Sequence, residues 1–388
     1  MADVRLDLDT VRELAGRRAP DGFLSIYVDA ASGRGRGLRD AAIELKNRLG
    51  ELERNLAENG DARPASLRKT IASLGPDLEW LTDPTVPGRG RALFAAVGNG
   101  ERLRFTSQMP LPNRVVYEEH AFVHPLLELL DEGEPTGVVV AAEDEVSIYE
   151  WKLGELEELA RIAAADSLEA PHERSGPVNV AGQRRATTPA REQRQARERD
   201  RALQLVRRGC ADAAHLAAER GWERVAVSGG ERLTDPLAEE LDGKVAALVR
   251  DRRNLAGFGR PQLAEAITEV LSADHREREA QLLREISDAT HSGKGTLGLS
   301  DVLGALNDGR VAHLVYDPYV RYVGTVGEDG RLYPPGEAPP GGGPAAEETR
   351  LTERLVERAL ETDARVSPVE GAAERLPEAQ GIGALLRW

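Results

Sequence analysis

The chain has 388 residues, enough for two or three domains with separate cores. Apolar residues make up 40% and charged residues 30%, with no apolar run near the roughly 20 residues that span a bilayer, so a soluble, globular protein without a membrane partner is expected. A formal net charge of −15 argues against nonspecific coating of nucleic acid, because phosphate attraction is the main term in such binding.

Met1 to Arg18 alternates charges with single leucines and lacks the basic-then-apolar order of a secretory signal, so a cytoplasmic protein is expected. Cys210 is the single cysteine, which rules out an internal disulfide and a multi-cysteine zinc site. His120 and His124 are spaced i, i+4 among residues that read as a strand, where the pair would stand roughly 13 Å apart. That is too far to share a metal, and neither a metal nor a cofactor is expected.

In chain order, Phe23 to Val28 reads as a strand, Arg39 to Glu58 as an amphipathic helix and Ala92 to Val97 as a strand. The polar break Asp131 to Thr136 marks a domain boundary. Gly137 to Ala142 and Val146 to Trp151 read as a hairpin, followed by a short helical pattern. Ser167 to Thr187 then has no periodicity and carries Pro171, Gly176, Pro177 and Gly182, which makes it a long loop, and loops of that length are often functional.

Thr188-Pro189 opens a helix, with Thr as N-cap and Pro at the first helical position. From Ala190 to Arg201 that helix has almost no apolar residue beyond alanine, whereas Leu203, Val206, Cys210, Ala213 and Ala217 recur at helical spacing. Only the second half should pack. Gln183 to Gly209 holds nine arginines against Glu192, Glu198 and Asp200, a local charge of +6 in an acidic chain. A charged helix is most often a solvated face with mixed signs, but this one is mostly arginine.

Arg224 to Ser228 and Val245 to Val249 read as strands around a helix near Pro236 to Leu241. Helices Pro261 to Leu271 and His275 to Ile286 follow, then helix Ser300 to Leu306, strand Val311 to Tyr316 and helix Leu351 to Leu360. The Pro- and Gly-rich insertion Pro334 to Pro344 cannot pack. The whole reads as an α/β and α+β multidomain chain, with domains 1–134, 135–274 and 275–388 and a flexible insertion at 334–346.

The glycine-rich candidates fail as nucleotide sites. Gly293-Lys294-Gly295-Thr296 lacks the earlier Gly and the following Ser or Thr of a P-loop, and Gly33-x-Gly35-x-Gly37 has the wrong spacing for a dinucleotide turn. No Gly-x-Ser-x-Gly elbow is present. What remains is Ala181-Gly182-Gln183 in the long loop.

Gly182-Gln183-Arg184-Arg185, the arginine-rich helix and Val225-Ala226-Val227-Ser228-Gly229-Gly230 resemble the central domain of the archaeal and eukaryotic class-one peptide chain release factors and Pelota-like factors. Gly257-Phe258-Gly259 with Leu263 to Leu271, Leu299 to Gly309 with Val311 to Tyr316, and the closing Gly381-Ile382-Gly383-Ala384-Leu385-Leu386-Arg387-Trp388 continue the series. The resemblance covers residues 137–388 well and the first 130 poorly. The N-terminal domain reads as α/β from its pattern, and the resemblance implies an RNase H-like central domain and a C-terminal domain with the fold of kink-turn-binding ribosomal proteins.

It also implies hydrolysis of the ester of peptidyl-tRNA in the ribosomal A site, with Gln183 and Gly182 at the reaction. Arg184, Arg185, Arg191, Arg194, Arg197 and Arg201 would lie on rRNA, and delivery by a translational GTPase such as elongation factor Tu is expected. Ala181 stands where the family has the first Gly of Gly-Gly-Gln. The codon-reading Asn-Ile-Lys-Ser is absent, its nearest counterpart being Glu44-Leu45-Lys46-Asn47, so action on stalled ribosomes without stop-codon decoding is expected. The alternative is a non-catalytic hibernation factor that occupies the vacant A site.

Overall fold

The computed structural model describes residues 6–30, 37–58, 64–164, 190–230, 232–337, 345–348 and 351–388. By contact the chain divides into two compact units, one formed by Met1–Glu132 together with His275–Trp388, the other by Gly133–Asp274.

In the first unit the N-terminal segment runs α1 (Leu8–Gly16), β1 (Phe23–Asp29), α2 (Gly37–Glu58), α3 (Pro64–Ser73), α4 (Gly75–Thr82), β2 (Gly90–Ala96), β3 (Arg102–Ser107), β4 (Arg114–Glu118) and α5 (His124–Glu132). The strands form an antiparallel sheet in the order β3-β2-β1-β4. One face, including Leu24, Ile26, Val28, Leu93 and Ala95, is buried against Leu45, Leu49, Leu67, Leu74 and Leu81. The strand expected around both histidines ends at Glu118, and His124 instead opens α5. Pro125 explains the change, since its fixed φ and missing N–H suit a first helical turn and not a ladder.

The central unit runs β5 (Thr136–Ala141), β6 (Glu145–Lys152), β7 (Glu155–Ala163), α6 (Ala190–Arg220), β8 (Val225–Gly229), α7 (Thr234–Leu241), β9 (Leu248–Arg250) and the start of α8 (Arg260–Thr290). Its five strands stand in the order β7-β6-β5-β8-β9, with β5, β8 and β9 parallel and the β5-β6-β7 edge antiparallel. The segment expected to be helical after the first hairpin is β7. Leu153 and Gly154 both have positive φ and join Lys152 to its partner Glu155, which is the two-residue turn whose twist matches paired strands. Long-range pairing overrides the helical composition of that stretch.

Two further elements differ from expectation. The two helices predicted between Pro261 and Ile286 are one, α8, because no Gly or Pro interrupts the chain after Pro261 until Gly293. The strand expected from Val245 begins only at Leu248, with Ala247 contributing its carbonyl to the Val225 N–H at 3.0 Å. The loop 165–189 lies outside the described residues.

The C-terminal segment contains β10 (Gly295–Leu297), α9 (Leu299–Asn307), β11 (Val311–Tyr316), β12 (Gly324–Gly327), β13 (Leu332–Tyr333), β14 (Ala345–Glu348), α10 (Leu351–Glu361), β15 (Arg365–Pro368), α11 (Ala372–Arg375) and β16 (Gly383–Leu386). Two sheets result, β10-β16-β11-β15 and β13-β12-β14. Residues 338–344 of the Pro- and Gly-rich insertion lie outside the described residues. Polar bonds, one of them fully buried, tie this segment to α5. His124 Nδ1 meets the Tyr316 hydroxyl at 2.8 Å, and the Ser367 hydroxyl donates to Asp131 at 2.9 Å while lying 2.9 Å from His313 Nε2. Burial pushes both His124 and His313 down to about 4, so both rings are neutral near pH 7.

Candidate nucleic-acid interface

The 31-residue helix α6 divides as its sequence divides. Ala202, Leu205, Val206, Cys210, Ala213 and Ala217 are buried in one core with Val139, Ala141, Val146, Ile148, Val225 and Val227 of the sheet and Leu237, Ala238 and Leu241 of α7. These helix positions recur every three or four residues, so one stripe faces the sheet. The Cys210 thiol is pushed up to about 12 by burial and is therefore an inert part of that core.

Upstream the pattern stops. Gln195 to Arg201 is exposed at every position. Seven consecutive helical residues cover nearly two turns, so no side of this stretch is held by a packed neighbour. Arg197, Arg199 and Arg201 lie in it with Glu198 and Asp200. Arg191 and Arg194 fall on the same helix, whose described side chains begin at Gln195. Gly182, Gln183, Arg184 and Arg185 lie outside the described residues.

The direction of the helix follows from two close approaches. A Cβ on Gly209 would sit 2.5 Å from Val146 Cγ1, and Val146 pairs with Ala141 at the carboxyl end of β5. At the other end the Trp222 ring covers Gly137, near the start of β5, and its indole N–H donates to Glu150 at 2.8 Å. The helix thus runs antiparallel to β5, and the residues before Gly209 extend past the carboxyl edge of the parallel strands. At 1.5 Å per residue, Arg201 stands about 12 Å and Ala190 about 28 Å beyond that level along the axis.

Sheet topology adds basic residues that the sequence reading assigned to no site. Arg250 ends β9 and Arg252 follows it, and both are exposed at the carboxyl edge. Arg253 is committed elsewhere. It pairs with Asp251 at 2.9 Å and with Glu269 at 2.9 Å, and these bonds raise its pKa. Ser228, near the end of β8, is buried and structural, its hydroxyl donating to the Arg253 carbonyl at 2.7 Å. The visible signal for the extra cations was Arg250-Asp251-Arg252-Arg253 directly after a strand. What they share an edge with depends on strand order.

Among the described residues no group of three or more His, Cys, Asp or Glu is placed to hold a metal ion, and no helix is long and apolar enough to cross a membrane. The arrangement offers an arginine-bearing arm on a rigid base, with further arginines at the base. Such an arm suits phosphate contact by charge-assisted bonds.

Residues 122–281 match the family model described as Bacterial archaeo-eukaryotic release factor family 10. Among solved structures, an archaeal translation termination factor is 18% identical, covering 98% of this chain and 96% of that one with a TM-score of 0.25. Ribosome-bound archaeal Pelota is 15% identical over 77% of each chain with a TM-score of 0.40. Dom34 of S. cerevisiae, a translation termination-like factor interacting with Hbs1, is 12% identical over 77% of this chain and 80% of that one with a TM-score of 0.37. No curated protein matches the chain. The matched segment contains the whole central unit, and over it the chain is similar to the bacterial archaeo-eukaryotic release factors.

Proposed function

We propose that the protein is a cytoplasmic, ribosome-binding translation factor that enters the A site and hydrolyses peptidyl-tRNA on stalled ribosomes without decoding a stop codon. The observation that carries this is the exposed stretch Gln195 to Arg201 of α6, bearing Arg197, Arg199 and Arg201 and continuous with a half locked into the central core. A binding arm of this kind has a fixed direction and concentrates arginine in an otherwise acidic chain. Arg184, Arg185, Arg191, Arg194, Arg197 and Arg201 would hold rRNA phosphates and so bring Gly182 and Gln183 to the tRNA end.

Ester hydrolysis there needs a placed water and donors aimed at developing negative charge. A backbone N–H and the Gln183 amide supply both without a titratable base. Gly182, lacking a Cβ, lets the backbone approach the ester. In this account a translational GTPase such as elongation factor Tu delivers the factor.

A second reading has its own support. Ala181 in place of the family's first glycine, and the absence of Asn-Ile-Lys-Ser, favour a hibernation factor that fills the vacant A site without catalysis.

Ribosome co-sedimentation tests the binding arm common to both readings. Reversing Arg191, Arg194, Arg197 and Arg201 to Glu should abolish pelleting with ribosomes, and the parent's affinity should fall steeply with salt. A quadruple variant that pellets like the parent removes α6 from the account.

A further inference from the structure

The connection between β9 and α8 carries an exposed aromatic that the core does not use. Phe258 keeps 45% of its surface exposed, in a chain with few aromatics and, among the described residues, few large apolar side chains left open. It stands between Gly257, at φ +89°, and Gly259, and a Cβ at Gly257 would meet nothing within 4 Å. The backbone on either side of the ring is therefore bare, open to close approach by a flat ligand.

The position of this loop follows from α8. Thr268 accepts from the Trp151 indole N–H at 3.0 Å, and Trp151 pairs with Thr136 at the start of β5. Further on, Asp274 bonds Arg224, just before β8, at 3.4 Å. The helix runs from the carboxyl edge of the sheet toward its amino edge, so Gly257-Phe258-Gly259 lies at the carboxyl edge. In α/β sheets with parallel strands this edge is the usual place for ligands. Arg250 and Arg252 are exposed at the same edge, and the basic half of α6 projects past it. The acidic turn Glu143-Asp144, between β5 and β6, repels an anion from the antiparallel side and leaves it the β8–β9 side.

We propose that this loop is a second RNA contact, in which Phe258 stacks on an unpaired base while Arg250 and Arg252 hold the adjoining phosphates. It deepens the ribosome-binding reading and rests on it for the identity of the RNA. Every base has a face to stack on, so the contact selects single-stranded segments and not a sequence. Charge favours this occupant, because a protein partner matched to a lone ring would not need two cations beside it.

The test uses the full chain and a fluorescently labelled, unstructured RNA 12-mer at low salt, with a hairpin of the same composition as comparison. Phe258→Ala should weaken binding of the single strand by about 10-fold while Phe258→Trp keeps it, since one base stack is lost in the first and retained in the second. Arg250→Gln with Arg252→Gln should lower the slope of log affinity against log salt by about 1.4. Equal single-strand affinity for Phe258→Ala and the parent, or no binding by the parent, overturns the proposal, and a Phe258-dependent protein contact without RNA affinity does the same. Ribosome co-sedimentation of the α6 variant separates the two claims. Loss of ribosome binding with the Phe258 effect absent strikes the second contact alone, and a Phe258 effect on the oligonucleotide with no ribosome binding by the parent strikes the ribosomal reading alone.

Discussion

Gly209 of α6 lies against Val146 of β6 so closely that a Cβ on the glycine would stand 2.5 Å from Val146 Cγ1 and 3.0 Å from its Cβ. In an open helix, replacing Gly by Ala gains about 1 kcal/mol. Here the added methyl meets a stiff β-branched side chain, and Gly209→Ala should instead destabilise by about 1–2 kcal/mol in chemical denaturation. Adding Val146→Ala should recover part of that loss. Two strictly additive changes would show that the contact does not hold the helix.

Glu128 of α5 offers a pH test. Burial, followed by Glu279, Glu370 and Glu132, raises its carboxyl to about 7, with His275 acting in the opposite direction. Because the folded value exceeds the ordinary value of 4.5, the folded state holds the extra proton, and the contribution to stability falls as pH rises from about 4.5 to 7. His275, raised through its Glu279 hydrogen bond against the larger opposing effect of burial, acts in the same sense and loses its contribution as pH rises through its folded pKa. His124 and His313, lowered to about 4 by burial, act oppositely and gain between about 4 and 6.5. Comparing Glu128→Gln with the parent isolates the carboxyl. The variant's relative stability should rise by on the order of 2 kcal/mol from pH 5 to pH 8. A difference that does not change with pH would contradict this account.

Ser367 bridges Asp131 and His313, each at 2.9 Å, inside the unit that joins α5 to the C-terminal sheet. Removing the hydroxyl leaves a half-buried carboxylate, which keeps Arg365 at 3.4 Å, and a neutral imidazole each short of one partner. Ser367→Ala should cost about 1–3 kcal/mol in thermal or chemical unfolding. If the variant unfolds with the parent, solvent reaches this network and the bridge is not a stabilising element.

Much of this molecule was legible in its sequence. β1, β2, β5 and β8 show as short apolar runs because they are buried on both faces, whereas α9 and α10 show their periods because each buries one side. The split in α6 at Ala202 was visible for the same reason, as apolar spacing begins where arginine density falls. β7 was hidden because Leu153-Gly154 supplies positive φ without the usual Asn or Asp, and the beginning of α5 was hidden behind a Val-rich approach. The closing Gly381-Ile382-Gly383 turns out to be packing: a Cβ on Gly381 would meet the Ala373 backbone N at 2.5 Å, and one on Gly383 would meet Leu297 Cδ2 at 2.8 Å. Contacts such as His124 with Tyr316, 192 residues apart, have no local signal at all. The arginines at the carboxyl edge became part of the candidate interface only once strand order was known.

The most direct test of the proposed function is release of labelled peptide from peptidyl-tRNA in stalled ribosomal complexes lacking a stop codon. The parent protein should release peptide, and Gln183→Ala should slow release by about 10²- to 10³-fold, the usual loss for one well-placed donor, while ribosome affinity hardly changes. Ala181→Gly should release as fast or faster. A parent protein that binds vacant ribosomes tightly yet releases nothing above background contradicts hydrolysis and leaves the hibernation factor in its place.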